Sequence, residues 1–592
     1  MRLRRAGFVL FLAAVAFAAK PAPKPKGPPL TSEQKAALAI VKRLSLSDQV
    51  AQLVIAVCYG DTYSTKSPEY QRYRHLVADL HIGGLIVNNT TQYGLVRYAE
   101  PHAMVVFLNQ MQKLAKTPLI VAGDFERSAS MRVSGSARFP YAMAFGAARD
   151  PDNARFEGAV AAREARALGV QWLFAPVADV NVNPDNPVIN VRSFGEDPDQ
   201  VSRLVTAFID GAHSDPNNRI LVTVKHFPGH GDTASNSHVD LPELAASRER
   251  IESVEFKPFR AAIEHHVDSV MIAHMTVPAI DQEGLPATLS PAVLTTLRQG
   301  LKFEDLIVTD AMDMAGVLKQ FSPAEGAVRA IAAGEDVLLM PPDPERAIRA
   351  VVAAVNGGRI PRARIEQSAM RMIAAKLRVG VMKKKPTDLD AITDALDVPE
   401  INQRVQKISD QAVTLVKNDN NLLPLAKSSN PCVVIMREAR ASTTGLRLAQ
   451  EVQTRAAAAR VLVVDSGLPL AALDAAAGDT GACSAMIVET SITGSDSRTS
   501  MTLAGDLGPF VEHLTNGPVP VVLVSLGSPY VITSFPKSAA YLATMSPTVP
   551  SEISAAKALF GDIPIQGHLP VTISGVAMFG DGIQLNPGNS RR

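Results

Sequence analysis

Charged and imidazole side chains recur where short apolar runs of this chain end. Residues 119–122 lead into Gly123-Asp124-Phe125-Glu126-Arg127, with Arg132 further on. Residues 172–177 lead to Asp179 and then to Asn190-Val191-Arg192-Ser193-Phe194-Gly195. Residues 220–224 run into Lys225-His226-Phe227-Pro228-Gly229-His230-Gly231-Asp232, followed by Asn236-Ser237-His238. His274 follows the run 269–273, and Asp310 follows 306–309. Singly, each has a plain structural role, since strand-end Asp and Asn cap helices and a lone His is commonly a satisfied polar residue. Together they imply one shared mouth. A carboxylate leaving a buried strand, Asp310, can act as a nucleophile, and a histidine on a glycine-flanked loop, His238, can shuttle a proton near neutral pH. Asp124, Arg132, Arg192 and Lys225 can hold sugar hydroxyls through charged hydrogen bonds. Neither a GxSxG elbow nor a P-loop is present, which argues against acyl transfer and nucleotide phosphoryl transfer. A metal held by His226, Asp232 and His238 is the alternative, but the run 54–60 lacks the HxH pair of metal-dependent barrel hydrolases.

The elements that must position these groups alternate. Apolar runs at 53–58, 84–88, 119–122, 172–177, 220–224, 269–273, 306–309 and 336–340 are separated by amphipathic stretches such as 154–168 and 255–265. Continuous Val/Ile/Leu runs between helices predict a parallel sheet covered on both faces. Eight such units predict an α/β fold with an N-terminal (β/α)8 TIM-like barrel over 35–385, whose chemistry sits at the strand C-termini. An open doubly wound sheet is the alternative. Composition shifts at 383–386, and a charged, helix-compatible stretch follows, including a linker at 386–410. Strand-like runs resume at 433–436, 461–464, 486–489 and 518–524, so a C-terminal α/β sandwich domain is expected over 411–590.

The chain has 592 residues, enough for two or more domains, and 46% are hydrophobic, enough for real cores. Its formal net charge is +1, so bulk charge drives neither nucleic-acid nor membrane-surface binding. Three cysteines, Cys58, Cys432 and Cys483, cannot make a disulfide framework, and none lies in a CxxC pair. Trp172 is the one tryptophan, few for a protein that grips long polysaccharides on aromatic platforms, so a small pocket is expected for any ligand. Arg2, Arg4 and Arg5, then an apolar run 7–19 and the Ala16-Phe17-Ala18 site, predict a signal peptide at 1–19. A Pro/Lys-rich spacer at 20–34 follows. Periplasmic or secreted localisation is expected, with no stable membrane insertion after cleavage.

The run from Lys225 to Thr233, with Asn236-Ser237-His238 and Leu241-Pro242, resembles the signature of family 3 glycoside hydrolases, and within it the exo-β-N-acetylglucosaminidase branch. Asp124 and Arg132 around a glutamate, the Asn190–Gly195 run and Val308-Thr309-Asp310-Ala311-Met312-Asp313-Met314 are similar to other segments of that family, as are residues 412–425 and 558–572. The resemblance implies Asp310 as the nucleophile of a retaining double displacement and His238 as the acid/base. Asp124, Arg132, Arg192, Lys225 and His226 would bind a terminal N-acetylglucosamine of a small oligosaccharide from peptidoglycan or chitin, without metal or cofactor. The family carries an aspartate where this chain has Asn236, which can orient the imidazole but brings no charge. Asp232 and Asp240, both close in sequence, are candidates to stand in for it. The alternatives are a β-glucosidase or other β-glycosidase, a phosphorolytic variant, or a non-catalytic sugar-binding protein.

Overall fold

The computed structural model describes residues 30–92, 95–495 and 498–587. The expected leader at 1–19 and most of the spacer at 20–34 lie outside the described residues. A helix, Ser32–Val41, begins within the last residues of that spacer, and Thr31 caps it with a reciprocal Gln34 bond. Among the described residues no helix is long and apolar enough to cross a membrane.

Eight parallel strands follow: β1 (Val54–Cys58), β2 (Gly84–Val87), β3 (Ile120–Gly123), β4 (Trp172–Leu173), β5 (Leu221–Phe227), β6 (Ser269–Ile272), β7 (Leu306–Thr309) and β8 (Leu338–Leu339). They pair in chain order, and β8 pairs back onto β1. A parallel bridge between Val308 and Val337 brings the ring to closure, so the sheet is a barrel rather than an open doubly wound sheet. Side chains alternate across it as the strand period demands. Ile55, Ile86, Ile120, Trp172, Leu221, Met271 and Val308 fill the interior, while Val54, Leu85, Val121, Val222 and Ile307 pack outward with the surrounding helices. Trp172 is buried in that interior, where its indole N–H donates to Thr223 Oγ1 at 2.7 Å. It is a core residue, not a sugar platform.

Helices Asp390–Ala395 and Pro399–Ala412 occupy most of the stretch expected as a linker. The second domain is a six-stranded sheet of β9 (Thr414–Asn418), β10 (Cys432–Arg437), β11 (Arg460–Asp465), β12 (Met486–Thr490), β13 (Val521–Ser525) and β14 (Ala540–Ala543). Their spatial order is β9-β14-β13-β12-β10-β11, all parallel except β9. Apolar clusters on its two faces make it an α/β sandwich. Cys432 and Cys483, two of the three cysteines, are joined in a disulfide, while Cys58 is buried and free.

The two domains share a core. Met143, Ala144, Ala147 and Val191 from the barrel side pack in the same cluster as Leu569 and Val571. Glu196 accepts from the Thr572 amide and hydroxyl at 2.7 and 2.6 Å. Gly195, at φ +138°, passes so close that a Cβ there would stand 2.4 Å from the Pro570 carbonyl oxygen. Only glycine combines that φ with that approach.

Candidate active site

The loops at the strand C-termini surround a cavity of about 400 Å3. Seven of the residues singled out in the sequence line it: Asp124, Arg132, Arg192, Lys225, His226, His238 and Asp310. Asn236 stands behind His238, nearly fully buried.

One wall is an ion network. Asp124 follows β3, and its carboxylate accepts from Lys225 Nζ at 2.9 Å and from Arg132 at 3.0 Å. Glu126, two residues on, takes Arg192 in a fork, with Nε at 2.9 Å and a terminal nitrogen at 2.7 Å, and also meets Lys225 Nζ at 2.7 Å. Burial alone would raise both carboxyls. Lys225 and Arg132 hold Asp124 below the usual carboxylate range, and Arg192 with Lys225 holds Glu126 well below it. Lys225 is held up in turn by Asp124 and Glu126 against its own burial. Fixed, oppositely charged groups of this kind present donors and acceptors to the hydroxyls of a sugar ring.

The floor is built from histidines and one carboxylate. Asp310 leaves β7, and its Oδ1 accepts from the Ala311 amide at 2.8 Å. Burial pushes its pKa up, but His226, His274 and His238 and that amide outweigh it and hold the carboxyl at about 2. It is therefore an anion at neutral pH, and it lines the cavity. His226 meets buried Asp179 through Nδ1 at 2.7 Å, and Asp179 also accepts from the amides of His226 and His230 at 3.1 and 2.7 Å. His230 is pushed down to about 4 by burial, so its ring is neutral, between Thr233 at 2.7 Å and Ser237 at 3.1 Å. His274 is satisfied by Thr288 and the Ala311 carbonyl, at 2.7 and 2.9 Å, and burial lowers its pKa as well.

Comparison with known proteins places this architecture. Residues 45–375 match the glycosyl hydrolase family 3 N-terminal domain and residues 413–580 the family 3 C-terminal domain. The chain belongs to glycosyl hydrolase family 3. Over 575 residues it is 28% identical to beta-hexosaminidase A of Pseudoalteromonas piscicida, covering 87% of this chain and 93% of that one. It is 28% identical over 398 residues to a beta-N-acetylglucosaminidase/beta-glucosidase of Cellulomonas fimi, covering 66% and 67%. A solved family 3 beta-N-acetylglucosaminidase from Paenibacillus sp. str. FPU-7 superposes with a TM-score of 0.79 at 31% identity, over 90% of this chain and all of that one. This chain is a glycoside hydrolase.

The second domain of this family 3 enzyme reaches the site. Gly494 and Ser495, on the loop after β12, line the cavity. Asn236 Nδ2 donates to the carbonyls of Ser495 and Arg498 at 3.0 and 2.7 Å, while its Oδ1 accepts from the His238 amide at 2.9 Å and faces His238 Nδ1 at 3.2 Å. Asp232 pairs with Arg250 at 3.5 Å and Asp240 with Lys319 at 3.0 Å, so both expected substitutes for the missing carboxylate are engaged elsewhere. Among the described residues no group of three or more His, Cys, Asp or Glu is arranged to hold a metal ion. Among the members of the site that carry no role in the sequence reading are the carboxylates Glu126 and Asp179. Both stand in the quoted strand-end runs, but a carboxylate that serves to hold a Lys, an Arg or a His is recognisable only once its partner is placed.

Proposed function

We propose that this chain is an exported, retaining exo-β-N-acetylglucosaminidase that removes terminal N-acetylglucosamine from peptidoglycan- or chitin-derived oligosaccharides. The observation that carries the reading is the ionised, half-buried Asp310 at the floor of the cavity that also holds His238 and the Asp124–Glu126–Arg132–Arg192–Lys225 network. A volume of about 400 Å3 lies toward the small end of ligand sites, which supports an exo pocket for one sugar over a polysaccharide cleft.

In this reading Asp310 attacks the anomeric carbon, and the glycosidic oxygen leaves with a proton from His238. Water, giving its proton back to His238, then displaces the carboxylate and restores the original configuration. Asp124, Arg132, Arg192, Lys225 and His226 hold the ring so that attack is in line. Asp179 orients His226, and Glu126 orients Arg192 and Lys225. The basic, apolar start of the chain supports export, and a disulfide suits an oxidising compartment.

A fluorinated slow N-acetylglucosaminide is the test. Digestion of the inactivated enzyme should yield one labelled peptide carrying the sugar on Asp310, and Asp310→Asn should lower kcat by at least about a thousandfold with its unfolding temperature unchanged. Label on another residue, or a variant keeping a few per cent of kcat, overturns the assignment. Nitrophenyl β-glucoside turned over faster than the N-acetylglucosaminide overturns the substrate.

A further inference from the structure

Asn236 occupies the position where the family resemblance puts an aspartate, and both ends of its carboxamide are committed. The nitrogen end faces two backbone carbonyls, Ser495 O at 3.0 Å and Arg498 O at 2.7 Å. Those two acceptors require a donor, so the amide cannot be flipped. Its oxygen must then face His238 Nδ1 at 3.2 Å, where it can only accept. The proton of the neutral imidazole is thereby placed on Nδ1, which leaves Nε2 as the ring atom that exchanges protons.

The loop that Asn236 grips belongs to the second domain and is seated on the barrel. The Ser495 amide donates to the Pro187 carbonyl at 3.0 Å. Gly494 lies so close to Val188 that a Cβ would stand 2.8 Å from its carbonyl oxygen. Arg498 is fixed by an ion pair with Glu438, just beyond β10. The Ser495 residue is thus bonded to barrel loops through both its N–H and its C=O.

We infer that Asn236 is an interdomain latch, a positioning residue that ties the His238 loop to the second domain and sets the histidine tautomer. This rests on the reading of His238 as acid/base. An aspartate could accept from His238 but has no donor for the two carbonyls. Its carboxylate would turn a third oxygen toward them, replacing two hydrogen bonds with oxygen–oxygen repulsion. Asparagine here is not an eroded aspartate. It is the residue that a two-domain clamp needs.

The two views of Asn236 make opposite forecasts for Asn236→Asp. If the position is an eroded dyad, the carboxylate restores it and kcat/KM on an unactivated disaccharide such as chitobiose rises. If it is a latch, kcat/KM on chitobiose falls at least about tenfold, while an activated nitrophenyl N-acetylglucosaminide stays within threefold. Asn236→Ala gives the same split. The nitrogen-15 spectrum of His238, dominated by the Nδ1–H tautomer in the parent, becomes a tautomer mixture in Asn236→Ala, and amide exchange of residues 236–240 quickens. Parent-like or better turnover of chitobiose by Asn236→Asp overturns the latch, as does an unchanged tautomer and exchange in Asn236→Ala. His238→Ala separates the underlying reading. If it slows both substrates equally, the acid/base assignment falls, while tautomer and exchange still judge the latch.

Discussion

Glu126 holds two cations of the pocket at once, Arg192 and Lys225, and is itself almost wholly buried. Glu126→Gln leaves those cations sharing an amide oxygen in place of a carboxylate. Breaking a buried ion pair by neutralising one partner typically costs about 3 kcal/mol or more, because the remaining charge stays desolvated. The expected outcome is a lower unfolding temperature together with a KM raised at least several-fold, since Arg192 and Lys225 no longer stand in fixed positions. Thermal unfolding and Michaelis kinetics on one preparation check both, and an unchanged KM would count against a role in holding the pocket. This residue also marks how far sequence reaches at this scale. Asp124, Lys225, His226 and Asp310 are legible because each stands where an apolar run ends, and in a barrel those ends converge. Arg132, Arg192 and His238 lie further along the same loops and are picked out by the family resemblance. The service Glu126 and Asp179 perform depends on side chains contributed by other strands, and spacing along the chain carries no trace of that.

At the scale of elements, the eight barrel strands are legible because each is buried on both faces and so is a continuous apolar run. The strands that escape notice differ from these in burial or in composition. β9 is buried over its first half only and sits at the sheet edge, and its sequence merges with the helical stretch before it. β14 is fully buried, yet Ala540-Tyr541-Leu542-Ala543 is half alanine and as compatible with a helix as with a strand. The hairpin Thr90–Gln92 with Leu95–Arg97 at the cavity mouth is largely exposed, so no apolar run announces it. Another element-level device is Glu164, inside the helix Pro151–Ala167, which fastens the loop that carries Asp124 and Arg132. It accepts from the Ser128 hydroxyl and from the Ala129 and Ala137 amides at 3.2 and 3.1 Å, and burial pushes its pKa up to about 7. A carboxyl raised in the folded state stabilises fully below its unfolded pKa and loses that contribution as pH rises through the folded value. From about pH 4.5 to pH 7 the loss is on the order of 3 kcal/mol, at 1.36 kcal/mol per unit. Glu164→Gln removes this titration. Denaturant unfolding at pH 5 and pH 8 should therefore show the parent losing more stability than the variant by about that amount, and parallel behaviour would place the titration elsewhere.

For the whole molecule the question is whether the two domains unfold separately. Their shared apolar cluster, the Glu196–Thr572 bonds, the Asn181–Tyr530 bond at 3.1 Å and the Asn236 contacts all cross the boundary. A second domain that loosened alone would expose Val571 and Leu569 on one side and Ala144 and Val191 on the other, so each domain removes the other's means of unfolding independently. The disulfide lies entirely within the second domain and spans 51 residues, including β11. Cross-linking a loop of that length stabilises by roughly 4 kcal/mol in the chain-entropy account. If the domains are coupled, that stabilisation belongs to the whole chain. With unfolding entropy near 2 cal/mol/K per residue, 592 residues dilute it to a shift of about 3 °C. Calorimetry should therefore show one endotherm, and the Cys432→Ser, Cys483→Ser double variant should move that single endotherm down by a few degrees, with glycosidase activity lost at the same temperature. A new low-temperature endotherm in the variant, with activity surviving to the parent temperature, would show instead that the second domain melts alone and that the barrel holds its site without it.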